Sequence, residues 1–266
     1  MFLIEKRLTG RKEKGIMDMR ESVSLIEVLI LRRESSRQEF FEVDMYTKHK
    51  WISDVFYNFG YLQYLPQGYD PNKKYPLVFF LHGAGERGED LELAARHGFL
   101  KHVRESEKEY PFILVAPQCP ADRYWGCYTE SLLAFLDHLC DSLPVDRERV
   151  YLTGLSMGGT GTWMLAMADP DRFAAIAPVC GSGIYWYGGA LVKLPVYMYH
   201  GDCDEIVPIY ESVSMLKSIN KRGGDAKLEI CYGVGHNAWD VAYAGDKLTE
   251  WLLCHKKCEK KQNDQC

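Results

Sequence analysis

Three short stretches carry residue types that could do chemistry together. Gly154-Leu155-Ser156-Met157-Gly158 sets a serine between small residues, after the apolar run Val150–Thr153 and before a stretch of helical spacing, Met157–Ala168. In a strand–turn–helix setting this G-x-S-x-G pattern makes a sharp elbow that holds the serine hydroxyl above the sheet. Small residues are required because neighbouring backbone passes close to such a turn. A serine hydroxyl is a weak nucleophile until a base takes its proton, and the base needs a carboxylate to orient it. Downstream, His200-Gly201-Asp202-Cys203-Asp204-Glu205-Ile206-Val207-Pro208 offers two aspartates, and Gly233-Val234-Gly235-His236-Asn237 offers a histidine between flexible residues. Serine, acid, histidine is the chain order expected on this type of sheet. Ser156 and His236 are therefore the candidate nucleophile and base, with Asp202 or Asp204 as the acid. The plainer alternative for residues 154–159 is a glycine-rich helix start capped by its serine.

These groups lie far apart along the chain, so a fold must gather them. Short apolar runs at Leu77–Leu81, Phe112–Ala116, Val150–Thr153, Ala174–Val179, Val196–Tyr199 and Leu228–Tyr232 read as strands. Between them, Asp90–Glu107, Ser131–Ser142, Met157–Ala168, Ile209–Asn220 and Ala238–His255 have helical spacing. Continuous apolar runs suit strands covered on both faces, and their alternation with helices implies a mostly parallel sheet. Ligands on such sheets sit beyond the carboxyl ends of the strands. The loops starting at His82, Pro117, Gly154, Cys180, His200 and Gly233 should then surround one site. Ahead of this core, Val55–Leu65 reads as a strand ending at Pro66, and Ser22–Arg33 as an edge strand or short helix. The expected organisation is an extension over residues 1–50, an α/β catalytic domain over 51–255 and a charged tail over 256–266.

Composition excludes several classes of function. With 266 residues, 47% hydrophobic and 26% charged, the chain is neither disordered nor short of core-forming material. Its 32 basic and 37 acidic residues give a net charge of −5, the wrong balance for a nucleic-acid binder. No apolar run approaches the ~18 residues of a membrane-spanning helix. The charges near the N-terminus follow its short apolar start, the reverse of a secretory signal. Nine scattered cysteines suit free thiols, so a cytoplasmic location is expected. No phosphate-cradling G-x-G-x-x-G is present, and Cys254-His255-Lys256-Lys257-Cys258 is at best half a metal site. Neither a cofactor nor a metal is expected.

The stretches LHGAGERG (81–88), GLSMGG (154–159), HGDCDEIVP (200–208) and GVGHNAW (233–239) resemble the α/β-hydrolase superfamily. Within it they are most similar to small esterases of the dienelactone hydrolase, prolyl-oligopeptidase-like and feruloyl or acetylxylan esterase branch. The resemblance runs from about Tyr61 to Leu253. It implies Asp204 as the acid, with Asp202 bracing its loop through an Asx turn. It also implies an oxyanion hole made by the backbone N–H groups of Ala84 and Met157. Glu86 and Arg87 read as a local ion pair that stiffens the Ala84 loop. The short connection from Cys180 to Pro195 leaves no room for a large cap domain, so the site should be open. Tyr185, Trp186 and Tyr187 on it, with Tyr124, Trp125 and Trp239 nearby, offer faces for sugars or aromatic acyl groups. Trp125, Trp186 and Trp239 are the candidate substrate-binding residues. The implied activity is a serine carboxylesterase acting on carbohydrate-linked feruloyl or acetyl esters. A peptidase or thioesterase on the same fold, and a silent binding module, are the alternatives.

Overall fold

Residue-by-residue alternation explains why the apolar runs become the centre of the molecule. The computed structural model describes residues 45–257. β3 (Tyr75–Leu81) sends Leu77, Phe79 and Leu81 into one core and Val78 and Phe80 into another, on its two faces. β4 (Ile113–Pro117) and β5 (Val145–Leu155) divide their side chains in the same way. A side chain buried as fully as Phe79 stabilises the fold by ~1.5–3 kcal/mol relative to exposure. One face is covered by α1 (Gly98–Glu105) and by α6 (Lys247–Leu253), which contribute Phe99, Val103 and Leu252. On the other lie α2 (Thr129–Ser142), α3 (Met157–Ala168) and α4 (Tyr210–Asn220), through Phe135, Trp163 and Met215.

The sheet is completed by β1 (Thr47–Lys50), β2 (Gly60–Tyr64), β6 (Ala175–Val179), β7 (Val196–Gly201) and β8 (Ala226–Cys231). Its order is β1-β2-β4-β3-β5-β6-β7-β8, antiparallel at β1/β2 and β2/β4 and parallel elsewhere. This is the α/β-hydrolase arrangement implied by the motifs. From β3 the chain moves outward to β4, then returns to the other side as β5. That reversal opens a crevice beyond the carboxyl ends of β3 and β5, where Leu81 and Gly154 are paired. The LHGAGERG loop leaves β3 here and the serine elbow leaves β5.

Several boundaries differ from the sequence reading. Val55–Leu65 is a strand only over Gly60–Tyr64, because Ser53 Oγ accepts the N–H groups of Val55 and Phe56 and holds a turn. Asp90–Glu107 splits into a 3-10 stretch, Leu91–Ala95, and α1, because Gly98 adopts φ +70°. Ala238–His255 splits into α5 (Trp239–Ala242) and α6 around Gly245 at φ +78°. The compact unit begins at Tyr46, so Thr47–Lys50 belong to the sheet and not to the extension. Ser22–Arg33, the rest of residues 1–44 and Cys258 onward lie outside the described residues.

Candidate active site

The elbow is held from several directions. Ser156 has φ +53°, a backbone conformation that non-glycine residues rarely adopt. Its N–H donates to the Val179 carbonyl at the end of β6, 2.9 Å away, and its carbonyl accepts the Thr160 N–H of the first turn of α3. A Cβ on Gly158 would lie 1.9 Å from the Leu81 carbonyl oxygen, so any side chain there would push β3 and the elbow apart.

Asp204 and His236 reach the serine from the ends of β7 and β8. Ser156 Oγ lies 2.7 Å from His236 Nε2, and His236 Nδ1 lies 2.8 Å from Asp204 Oδ2. A carboxylate only accepts, so in the neutral ring Nδ1 carries the proton and Nε2 accepts the serine hydroxyl. The other Asp204 oxygen accepts the N–H groups of Ile206 and Val207, each at 2.9 Å. Burial pushes the Asp204 carboxyl up, but the bonds from His236, Val207 and Ile206 outweigh it and hold the group below the ordinary carboxylate range. Asp202 takes no part in this line. Its carboxylate accepts the Gly233 N–H at 2.6 Å, so it braces the histidine loop across the gap and not its own turn. Cys203 N–H to Val234 O, at 3.0 Å, adds a second strut between the two loops.

The loop after β3 faces the elbow. Ala84 and Met157 each open a helical segment, so neither N–H has an acceptor within its own helix. The Ala84 N–H is aimed by its peptide partner. His82 Nδ1 lies 2.6 Å from the Gly83 carbonyl, and His82 Nε2 accepts the Cys119 N–H at 3.0 Å. Because the peptide is planar and trans, holding the Gly83 carbonyl turns the Ala84 N–H to the opposite side. Both nitrogens are committed to the neutral tautomer, and burial depresses the His82 pKa to about 4.

Two expectations for this region are corrected. Trp125 is 1% exposed, with its indole N–H on the His82 carbonyl at 2.9 Å. It supports the loop from the core and cannot touch a substrate. Glu86 and Arg87 do not pair. Glu86 is buried beside His97, whereas Arg87 donates to the Ala84 carbonyl and lies over the Tyr124 ring. Of the other two candidates, one borders the histidine and the other is simply exposed. Trp239 is half-buried with its ring edge-on to His236 at 5.4 Å, and Trp186 is 74% exposed on the 3-10 stretch Tyr185–Leu191.

Sequence reasoning also passed over two residues close to the acid. His200 entered the sequence reading only as the start of a loop, yet its Nε2 lies 2.7 Å from the Val207 carbonyl and 3.3 Å from Asp204 Oδ2. The His-Gly that begins the acid motif was the signal for it. The Cys180 thiol lies within 4.8 Å of the Asp204 and His236 ligand atoms, a set of types that could hold a metal. Both His236 nitrogens are already engaged, and burial pushes the Cys180 thiol pKa up, so this trio fits the hydrogen-bonded line better than an ion.

Comparisons with known proteins place the chain among esterases of this fold. The sequence model of an esterase family, described as "Putative esterase", matches residues 58–207, more than half of the chain. Endo-1,4-beta-xylanase Y of Acetivibrio thermocellus is 30% identical over 146 residues, which are 48% of this chain and 13% of that protein. Feruloyl esterase C of Emericella nidulans is 26% identical over 170 residues, 62% of each chain. The chain thus spans under two thirds of either relative's length. The crystal structure of a thermostable esterase superposes with a TM-score of 0.71 at 28% identity, covering 81% of this chain and 64% of that one.

Proposed function

The chain belongs to this esterase family, and on that premise we propose that it is a serine carboxylesterase working through an acyl-enzyme, with carbohydrate-linked feruloyl or acetyl esters as its substrates. The observation that carries the reading is the continuous line Ser156–His236–Asp204, with bonds of 2.7 and 2.8 Å.

The steps follow from that line. His236 Nε2 takes the Ser156 proton as Oγ attacks the ester carbonyl, and Asp204 stabilises the imidazolium that forms. The carbonyl oxygen becomes an alkoxide held by the N–H groups of Ala84 and Met157, the latter at a helix start whose dipole favours negative charge. His236 then gives its proton to the departing alcohol, leaving the acyl group on Ser156. Water, deprotonated by the same imidazole, attacks the acyl-enzyme and releases the acid.

The substrate class rests on the names of the relatives and on the rim. Trp239 beside His236 and the exposed Tyr185, Trp186 and Tyr187 offer flat apolar faces suited to a phenolic acyl group or a sugar. A cytoplasmic location is part of the same proposal, supported by the seven cysteines of the described residues being free thiols. We expect Ser156→Ala to abolish both hydrolysis of p-nitrophenyl acetate and labelling by a fluorophosphonate probe. Folded wild-type protein inert to both would overturn the reading, and a panel of acetyl, butyryl and feruloyl esters ranks the acyl groups.

A further inference from the structure

Glu86 is a buried carboxylate that none of these steps uses. It sits two residues beyond Ala84 and is 6% exposed. A Cβ on Gly83 would lie 2.9 Å from Glu86 Oε2 and 2.8 Å from Leu155 Cδ1, so the carboxylate packs on the Gly83 backbone beside the residue preceding the nucleophile. Burial raises its pKa, while His97, 3.9 Å away, the Gly83 N–H, Arg96 and its own N–H favour the charged form. The two peptide units flanking Gly83 are thereby held from different sides. In the His82–Gly83 unit, the carbonyl takes the Trp125 indole N–H, and Glu86 Oε2 lies against the Gly83 backbone at its other end. In the Gly83–Ala84 unit, the carbonyl is held by His82, which leaves its N–H for the reaction. Gln118 ties the Glu86 carbonyl at 2.9 Å, so the backbone that carries the carboxylate is itself anchored.

We propose that Glu86 is a positioning residue of the oxyanion hole: its carboxylate fixes the Gly83 N–H, and so anchors the peptide unit immediately before the one whose N–H, that of Ala84, points at the developing alkoxide. This rests on the esterase reading and on Ala84 as one of the two donors. A buried carboxylate without a strong cation partner is expensive to keep, and an acceptor for a loop N–H gives it a purpose that a neutral side chain of other shape would not serve.

The test separates aim from mere packing. In Glu86→Ala, kcat for p-nitrophenyl acetate should fall ~10²-fold, with KM within about threefold of wild type, because the lost interaction belongs to the transition state. Affinity for a trifluoromethyl ketone, whose serine adduct places an oxyanion in the hole, should fall by the same factor. Glu86→Gln keeps the side-chain shape and an oxygen for the Gly83 N–H, and should recover to within about tenfold of wild type. Wild-type kcat in Glu86→Ala, a change confined to KM, or a Glu86→Gln variant as impaired as the alanine variant would each overturn the proposal. If thermal melting shows that Glu86→Ala does not fold, Glu86→Asp replaces it. Asp keeps the charge but falls one methylene short of Gly83, so it should lose activity where Gln keeps it, and the opposite order overturns the proposal. Fluorophosphonate labelling of wild type reports on the esterase reading separately. An unlabelled wild type removes both readings, while a labelled one whose Glu86→Ala retains kcat removes only this one.

Discussion

At the scale of single residues, two aspartates one position apart from the same cysteine do different work because their acceptors face different loops. Asp204 binds His236 Nδ1 and two backbone N–H groups, whereas the Asp202 carboxylate takes the Gly233 N–H of the neighbouring loop. An amide at position 204 would favour the wrong imidazole tautomer while preserving shape. We therefore expect Asp204→Asn to lower kcat by about 10⁴ with little change in melting temperature. Asp202→Ala should stay within about tenfold of wild type, since one strut remains at Cys203 N–H. Esterase kinetics on the two variants decide the matter, and greater damage from the change at 202 would reassign the acid.

At the scale of elements, the loop after β3 is built around a histidine that must stay neutral. His82 accepts the Cys119 N–H through Nε2, so a proton on that nitrogen breaks the bond and buries a charge. Its pKa lies near 4 in the folded protein against an ordinary value of 6.5. The folded state therefore binds fewer protons than the unfolded state between these values, and stability rises with pH across the window. His82 contributes its full share above pH ~6.5 and loses about 3 kcal/mol of it as pH falls towards 4. Urea titrations from pH 4 to 7 should show a steeper pH dependence in wild type than in His82→Gln. Equal slopes would mean that other groups carry the acid sensitivity.

Across the whole molecule, a single sheet separates two cores, and the site exists only because the order in which strands are added reverses at β3, placing β4 on one side and β5 on the other. The larger helices against one face leave Trp163 buried in α3 with no hydrogen-bond partner among the described residues for its indole N–H. An unpaired buried donor costs ~1–3 kcal/mol, similar to the loss expected from a modest reduction in side-chain volume. Trp163→Phe should then change unfolding stability by less than about 1 kcal/mol, while Trp163→Ala should cost ~3–5 kcal/mol. Calorimetry on the two variants separates the terms. A phenylalanine variant as unstable as the alanine one would show that the N–H is satisfied.

Much of this protein is legible in its amino acids. Ser156 and His236 stand out because an elbow serine and a loop-borne imidazole need small neighbours, and small neighbours leave a local signature. The six parallel strands are legible for a similar reason, since burial on both faces writes itself as an unbroken apolar run. What tertiary structure decided are matters of direction. Composition does not reveal that Trp125 turns inward to hold the His82 carbonyl, that Glu86 turns away from Arg87, or that Asp202 reaches across to Gly233. Each of these depends on which segment lies opposite, and segments far apart in sequence meet only after the sheet has formed. The helix breaks at Gly98 and Gly245 belong with them: a glycine inside an amphipathic stretch can be tolerated in a helix, so its presence alone does not announce the left-handed turn that both adopt.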